Sequence, residues 1–298
     1  MRWQFERRAR RLHEFDFLYR EVERRALERL SLARIEPECV LDAGCGGGAS
    51  LVALRKRYPK SRLIGADVAS GMVSRAWRLH RPTGGRILGW LGANWRLAPL
   101  MVCADAARLP LASGTVDLVW SNLFLHWASD VPAVLAEWYR VARPGALVSL
   151  SLFGVDTLRE FRAAGARLMS FPDMHDVGDA LVSAGFAEPV LDVDHIQLSY
   201  RQVSTMLGEV HAMGGNARRD RSRSLRGRGA RARWQQVLEA ASAHAAPTLS
   251  FEVIQAHAWY RPPSGAATGP SRSCFSAGRL PPPSMRRSPH CRPRAPCL

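Results

Sequence analysis

The chain has 298 residues, with 42 Lys and Arg against 26 Asp and Glu, a formal net charge of +16 and 47% hydrophobic residues. That length holds one large domain or two small ones, with a core that needs no disulfides. No apolar run of about 20 residues is present, so no transmembrane helix is expected. The six cysteines are scattered without a Cys-x-x-Cys pair, which argues against a zinc site or a disulfide framework and fits a reducing cytoplasm.

The N-terminus lacks the apolar stretch of a secretory signal, and Glu6, Glu14 and Asp16 interrupt its arginines, against a transit peptide. Phe17, Leu18, Val22, Leu27, Leu30 and Leu32 recur at roughly helical spacing, so 1–36 reads as one or two amphipathic helices, packed on the main domain or lying over a ligand as a lid. Strand and helix signals then alternate. Strands are expected at Cys39–Ala43, Arg62–Asp67, Leu100–Asp105, Thr115–Asn122 and Leu147–Phe153, with helices at Ala49–Tyr58, Ser70–His80 and Pro132–Ala142. Such βαβ alternation means a parallel sheet with helices on both faces. The long connection Arg81–Pro99 carries Ile87, Leu88, Trp90, Leu91 and Trp95 and suggests a short apolar helix. Beyond Gly154, helices are expected at Thr157–Ser170, Asp173–Ala184, Gln202–Met213 and Ala230–Ala243, and strands at Val190–Tyr200 and Thr248–Tyr260.

The positive charge is concentrated late in the chain. Arg218–Arg233 holds eight arginines against one aspartate, and 261–298 holds seven arginines and no acid. Two readings stand for the first cluster: the bias of a GC-rich coding sequence, or a basic face for an acidic partner. The tail 261–298 holds nine of the nineteen prolines and too little apolar residue to order itself, so it reads as disordered. The cluster lacks the interleaved aromatics of a nucleic-acid platform, so a nucleic-acid partner is not expected.

The chemistry gathers at the strand ends. Val40-Leu41-Asp42-Ala43-Gly44-Cys45-Gly46-Gly47-Gly48 is a strand, a glycine turn and the start of a helix, the opening unit of a doubly wound sheet whose ligand lies beyond the strands' carboxyl ends. No P-loop lysine follows it. Asp67 ends the second strand, where a carboxylate can accept both hydroxyls of a ribose, in charge-assisted bonds of roughly 1.5–3 kcal/mol each. Asp105, at the third strand end, can accept an exocyclic amine of adenine. The fourth ends in Ser121-Asn122, followed by Leu123-Phe124-Leu125-His126-Trp127. Each acid alone fits a helix cap or a turn; together they place ligand groups on one edge of one sheet.

VLDAGCGGG, IGAD, CADAARLP, VDLVWSNLFLHW and EWYRVARPG, over about residues 38–153, make this chain resemble the class I S-adenosylmethionine-dependent methyltransferases. The resemblance implies a doubly wound, mostly parallel, seven-stranded α/β sheet of Rossmann-like type with an N-terminal helical lid. It divides the chain into a lid at 1–36, a methyltransferase domain at 37–260 and the tail at 261–298. It implies S-adenosyl-L-methionine as cofactor and no metal. Gly44, Gly46 and Gly48 would contact the methionine part, Asp67 the ribose, Asp105 with Ala106 the adenine, and Asn122 would lie beside the transferable methyl. Asp42, Cys45, Val68 and Met72 complete the implied cofactor contacts. FDFLYREVERR, SNLFLHW, SLFGVDTLREFR, FPDMHDVGDALVSAGF and FEVIQAHAW are similar, more narrowly, to the malonyl-acyl-carrier-protein O-methyltransferases of biotin synthesis. The same segments are also similar to complex I assembly factors that keep the fold and are associated with protein arginine hydroxylation; a methyltransferase for another small acid is a further alternative. The first resemblance implies malonyl-acyl carrier protein as an acidic partner that Arg218–Arg233 could steer, with no membrane partner. Leu12 stands about where many such enzymes carry a tyrosine near the substrate, and Tyr19 is the alternative in this chain. The remaining substrate-side candidates are Arg159, as a cation for the carboxylate, and His126, as a pocket wall or proton carrier.

Overall fold

All five side chains of β1 (Cys39–Ala43) are buried, as a central parallel strand covered on both faces requires. In this computed structural model, which describes residues 16–81, 98–166, 168–213, 227–242 and 246–261, β1 lies parallel between β2 (Arg62–Asp67) and β4 (Val116–Asn122). In the same sense, β3 (Leu100–Cys103) pairs with β2, and β5 (Ala142–Phe153) with β4. The last strand, β7 (Thr248–Tyr260), enters antiparallel between β5 and β6 (Phe186–Ser199). The order is β3-β2-β1-β4-β5-β7-β6, a seven-stranded and mostly parallel sheet.

Among the described residues the α-helices are α1 (Asp16–Leu30), α2 (Ala49–Arg57), α3 (Ser70–His80), α4 (Val131–Val141), α5 (Arg159–Ala163), α6 (Met174–Ser183), α7 (Val203–Met213) and α8 (Gly227–Ala241). α4 begins where the Asp130 side chain accepts the Ala133 N–H and a proline fills the first turn; α6 begins in a capping box made by Asp173 and Asp176. Leu18, Val22, Ala26 and Leu30, one stripe at four-residue spacing, bury α1 against the sheet. Leu18 and Val22 join Phe153, Phe161, Phe251 and Val253 in one apolar cluster. Ala26 and Leu30 join Leu51, Leu54, Leu118 and Leu147 in a second. Arg29 is ion-paired with Asp192 and with Asp194 (3.0 Å), and Arg25 with Asp194 (3.4 Å), so the helix is also tied to edge strand β6.

Some boundaries move for local reasons. β5 starts at Ala142 rather than Leu147, because the chain re-enters the sheet opposite Val116 across a bulge, with Gly145 at φ +81. The helix expected over Thr157–Ser170 is only α5, entered from a left-handed Leu158 (φ 58) and closed before Gly165 (φ 76). β6 starts at Phe186 rather than Val190, absorbing Pro189 in a register shift beside Glu188 (φ 52). Residues 1–15, the apolar segment within 81–99, the Arg218–Arg226 part of the basic cluster and the tail beyond Arg261 lie outside the described residues. No helix among the described residues is long and apolar enough to cross a membrane.

Candidate active site

The sheet order reverses between β1 and β4. The connection after β1 leads toward β2, and the one after β4 toward β5, which opens a crevice at their carboxyl ends. The glycine loop occupies one lip. Gly44, Gly46 and Gly48 have φ of 78, 51 and 82, a left-handed conformation that a Cβ disfavours. A Cβ on Gly44 would stand 2.3 Å from Phe124, so the loop after β4 presses on the loop after β1. A Cβ on Gly46 would meet no atom of the described residues within 4 Å, which leaves room there for a ligand.

Asp67 organises this loop. Its carboxylate accepts the Gly46 N–H at 3.0 Å and the Ala69 N–H at 2.8 Å, while the Ala66 carbonyl accepts from Gly44 and Cys45. Val68 is half-buried, and Met72, in the first turn of α3, is buried. On the neighbouring strand end, exposed Asp105 accepts the Ala107 N–H at 3.0 Å through its side chain and the Arg108 N–H through its carbonyl, beside buried Ala106.

Asp42 is 1% exposed, and its Oδ2 has no hydrogen-bond partner among the described residues. Burial, first, and then the charges of Glu23 and Asp67 hold its carboxyl well above the usual carboxylate range. Burial, and then Asp42 and Asp67, push the buried Cys45 thiol up. Glu23, on α1, accepts the Ser50 hydroxyl of α2 at 2.5 Å. The charges of Glu23 and Asp67 therefore act on Asp42 at the foot of the glycine loop. That surrounding fits a ligand carrying positive charge, such as a sulfonium with an ammonium group, and opposes a pyrophosphate.

Asn122 stands on the opposite lip, at the end of β4. Its Nδ2 donates to the Tyr19 carbonyl at 3.2 Å, and its Oδ1 accepts the Ser151 hydroxyl at 2.7 Å. Tyr19 thus reaches the site through its backbone, while its half-buried ring packs against the cluster around Phe153 and Phe251. His126 has gone into the interior. Its ring lies 4.9, 5.1 and 5.7 Å from those of Phe153, Trp127 and Phe171, and its Nδ1 accepts the Phe153 N–H at 3.4 Å. Burial pushes this imidazole down to about 3, so it is neutral at physiological pH. Arg159 is exposed, pairs with Glu160 at 3.6 Å, and lines a cavity of about 150 Å³ with Asp156, Glu252 and residues of β6 and β7. The structure brings Tyr19 to Asn122, whereas the recorded partners of His126 and Arg159 lie elsewhere. Among the described residues no group of His, Cys, Asp or Glu could hold a metal ion.

Glu23, Ser50, Phe124 and Ser151 are the neighbours that sequence reasoning missed. For Ser151 a signal exists: Ser149 and Ser151 interrupt an apolar run at a spacing of two, which puts both on one face of β5.

A model of the methyltransferase domain family matches residues 41–150. Two curated relatives, from Methylovorus sp. (strain MP688) and Laribacter hongkongensis, are each 41% identical over 266 residues, covering 87% of this chain and 88% of their own length; both are malonyl-[acyl-carrier protein] O-methyltransferases. A third of the same name, from Gallionella capsiferriformans, is 37% identical over 87% of the chain. Among solved structures, a putative methyltransferase from Bacillus halodurans matches with a TM-score of 0.55 at 14% identity, covering 80% of this chain and 99% of its own. An S-adenosylmethionine-dependent methyltransferase from Thermotoga maritima matches with a TM-score of 0.51 at 16% identity, covering 88% of this chain and 100% of its own; both show the fold.

Proposed function

Since this chain belongs to the malonyl-[acyl-carrier protein] O-methyltransferase family, we propose that it methylates the free carboxylate of malonyl-acyl carrier protein, an early step of biotin synthesis, with S-adenosyl-L-methionine as donor. The observation that carries this reading in the structure is the glycine loop above buried Asp42, with room for a ligand at Gly46 and an Asp42 Oδ2 that has no partner among the described residues. When bound, the cofactor supplies a methyl group made electrophilic by its sulfonium.

The residues that would hold it are Asp67 for the ribose hydroxyls, Asp105 and Ala106 for the adenine edge, and Val68 and Met72 as apolar walls. Asp42 and the loop from Gly44 through Cys45 and Gly46 to Gly48 would hold the methionine part. No general base is needed, because the accepting carboxylate is ionised at pH 7. The work of the chain is to align that carboxylate at the β1–β4 crevice and to exclude water. Phe124 closes one side, and α1, with Tyr19 at Asn122, covers the other. His126 serves as packing behind this wall; with Nδ1 already accepting, its proton sits on Nε2 and it carries no proton for the reaction. Arg159, exposed beside Glu160 at the start of α5, would meet the carrier-linked part of the substrate.

The domain assignment follows: 37–260 as the methyltransferase domain and 1–36 as its cover. The basic cluster Arg218–Arg233, of which Arg231 and Arg233 are exposed on α8, would steer the acidic carrier. A cytoplasmic site of action is supported by the free thiols Cys39, Cys45 and Cys103.

The deciding assay combines purified protein, S-adenosylmethionine and malonyl-acyl carrier protein, and reads the methyl ester by mass. Ester formation is expected with the carrier-bound substrate and not with free malonate. Absence of turnover while calorimetry shows the cofactor bound would overturn the substrate, and a panel of other small acids would then identify the acceptor.

A further inference from the structure

We propose that Ser151 is a positioning residue that orients the Asn122 amide, so that an N–H rather than a carbonyl oxygen faces the methyl acceptor. The proposal deepens, and rests on, the reading of that acceptor as a carboxylate.

Ser151 is 1% exposed and lies opposite Asn122 in the β4–β5 register. Its Oγ accepts the Leu123 N–H at 3.1 Å. A backbone N–H can only donate, so the single hydroxyl proton is free for the 2.7 Å bond to Asn122. The atom that receives it must be the carbonyl oxygen, Oδ1. On the other side of the amide, the Tyr19 carbonyl can only accept, and it takes an N–H of Nδ2 at 3.2 Å. A flipped amide would set Oδ1 against the Tyr19 carbonyl, two acceptors face to face, and would leave the Ser151 proton without its acceptor. Between them, Ser151 and Tyr19 hold Asn122 in one orientation. Leu123, left-handed at φ 51 and bonded a second time to the Ser151 carbonyl at 2.9 Å, keeps the strand end from shifting.

The consequence concerns charge. The charges of Glu23 and Asp67, which act on buried Asp42, suit a cationic cofactor and repel a carboxylate. A carboxylate losing water there needs a donor to offset the desolvation. Asn122 has two N–H groups, and Tyr19 uses one of them. The second can hold one oxygen of the acceptor while the other oxygen remains free to react. A turned amide would offer a further acceptor instead.

The experiment compares Ser151→Thr with Ser151→Val in the full-length protein, a pair that differs by a hydroxyl and hardly in shape. The expected result is that the valine variant loses about tenfold or more in kcat/KM toward malonyl-acyl carrier protein. Its S-adenosylmethionine dissociation constant should stay within about twofold of the wild type, and the threonine variant should keep turnover within about threefold. Equal turnover in the two variants, or parallel loss of cofactor affinity in both, would overturn the proposal. If the valine variant does not fold, the wild type decides. In ¹⁵N spectra with S-adenosylhomocysteine bound, adding malonyl-acyl carrier protein should shift one of the two Asn122 side-chain N–H signals, assigned by Asn122→Asp, and leave its partner in place. No shift in either overturns the proposal. Wild-type protein without turnover on this substrate signals failure of the functional reading instead.

Discussion

His126 shows how burial decides the role of a residue that looks reactive. Its folded pKa is pushed down to about 3 by desolvation, against about 6.5 in an unfolded chain. Between those values the unfolded chain binds a proton that the folded chain does not. The contribution is therefore fully present above pH 6.5 and is lost as pH falls, at up to about 1.4 kcal/mol per pH unit. Half-buried His257 is also lowered and adds in the same direction, while Asp42, raised, acts in the opposite one. Comparing His126→Phe with the wild type isolates the one residue. Urea midpoints at pH 5 and pH 7 should lie closer together in the variant, and methyl transfer should persist. An unchanged pH gap would show that this imidazole does not titrate as its burial requires. Asp42, Asp67 and the glycines were legible in the sequence because strand ends and turns announce themselves locally. For Ser151 only the face of β5 was legible, since its pairing with Asn122 depends on the β4–β5 register; Glu23 depends on the docking of α1, and neither register nor docking is written near those residues.

At the scale of elements, the loop between β1 and α2 separates two jobs of glycine. Gly44→Ala meets Phe124 at 2.3 Å in a left-handed backbone, so it should cost about 3 kcal/mol and lower the melting temperature. Gly46→Ala meets no atom of the described residues and should cost only about 1 kcal/mol of conformational strain. Its added methyl should still weaken S-adenosylmethionine binding about tenfold or more, because it enters the ligand's space. Melting curves and calorimetry on the two variants check this; a Gly46→Ala protein with full cofactor affinity would move the ligand away from the loop. The described elements from β1 to α4 matched their sequence signals closely, because apolar runs and glycine or proline stops coincide there. Near α5 the signal failed, since the apolar spacing of 157–170 continues through Gly165, whose φ of 76 closes the helix early.

For the molecule as a whole, charge separates two surfaces. The charges of Glu23 and Asp67 act near the glycine loop, while Arg231 and Arg233 are exposed on α8. The KM for malonyl-acyl carrier protein should therefore rise with salt, and Arg231→Glu with Arg233→Glu should raise it by about tenfold at low ionic strength. Cofactor affinity, set inside the crevice, should hardly respond. Steady-state kinetics across a salt series checks both, and a salt-independent KM would count against steering.

The place of β7 bears on how this chain reaches its fold. Thr248–Tyr260 is the last strand among the described residues, yet it lies between β5 and β6 and pairs with both. While the chain is being synthesised, β6 has no partner among the strands already made, and β5 presents an open edge. The first five strands can assemble as they emerge, but the β6 half must wait for residues near the far end of the chain. That long loop closure makes the closing step slow, and it exposes two unpaired strand edges to self-association until β7 slots in.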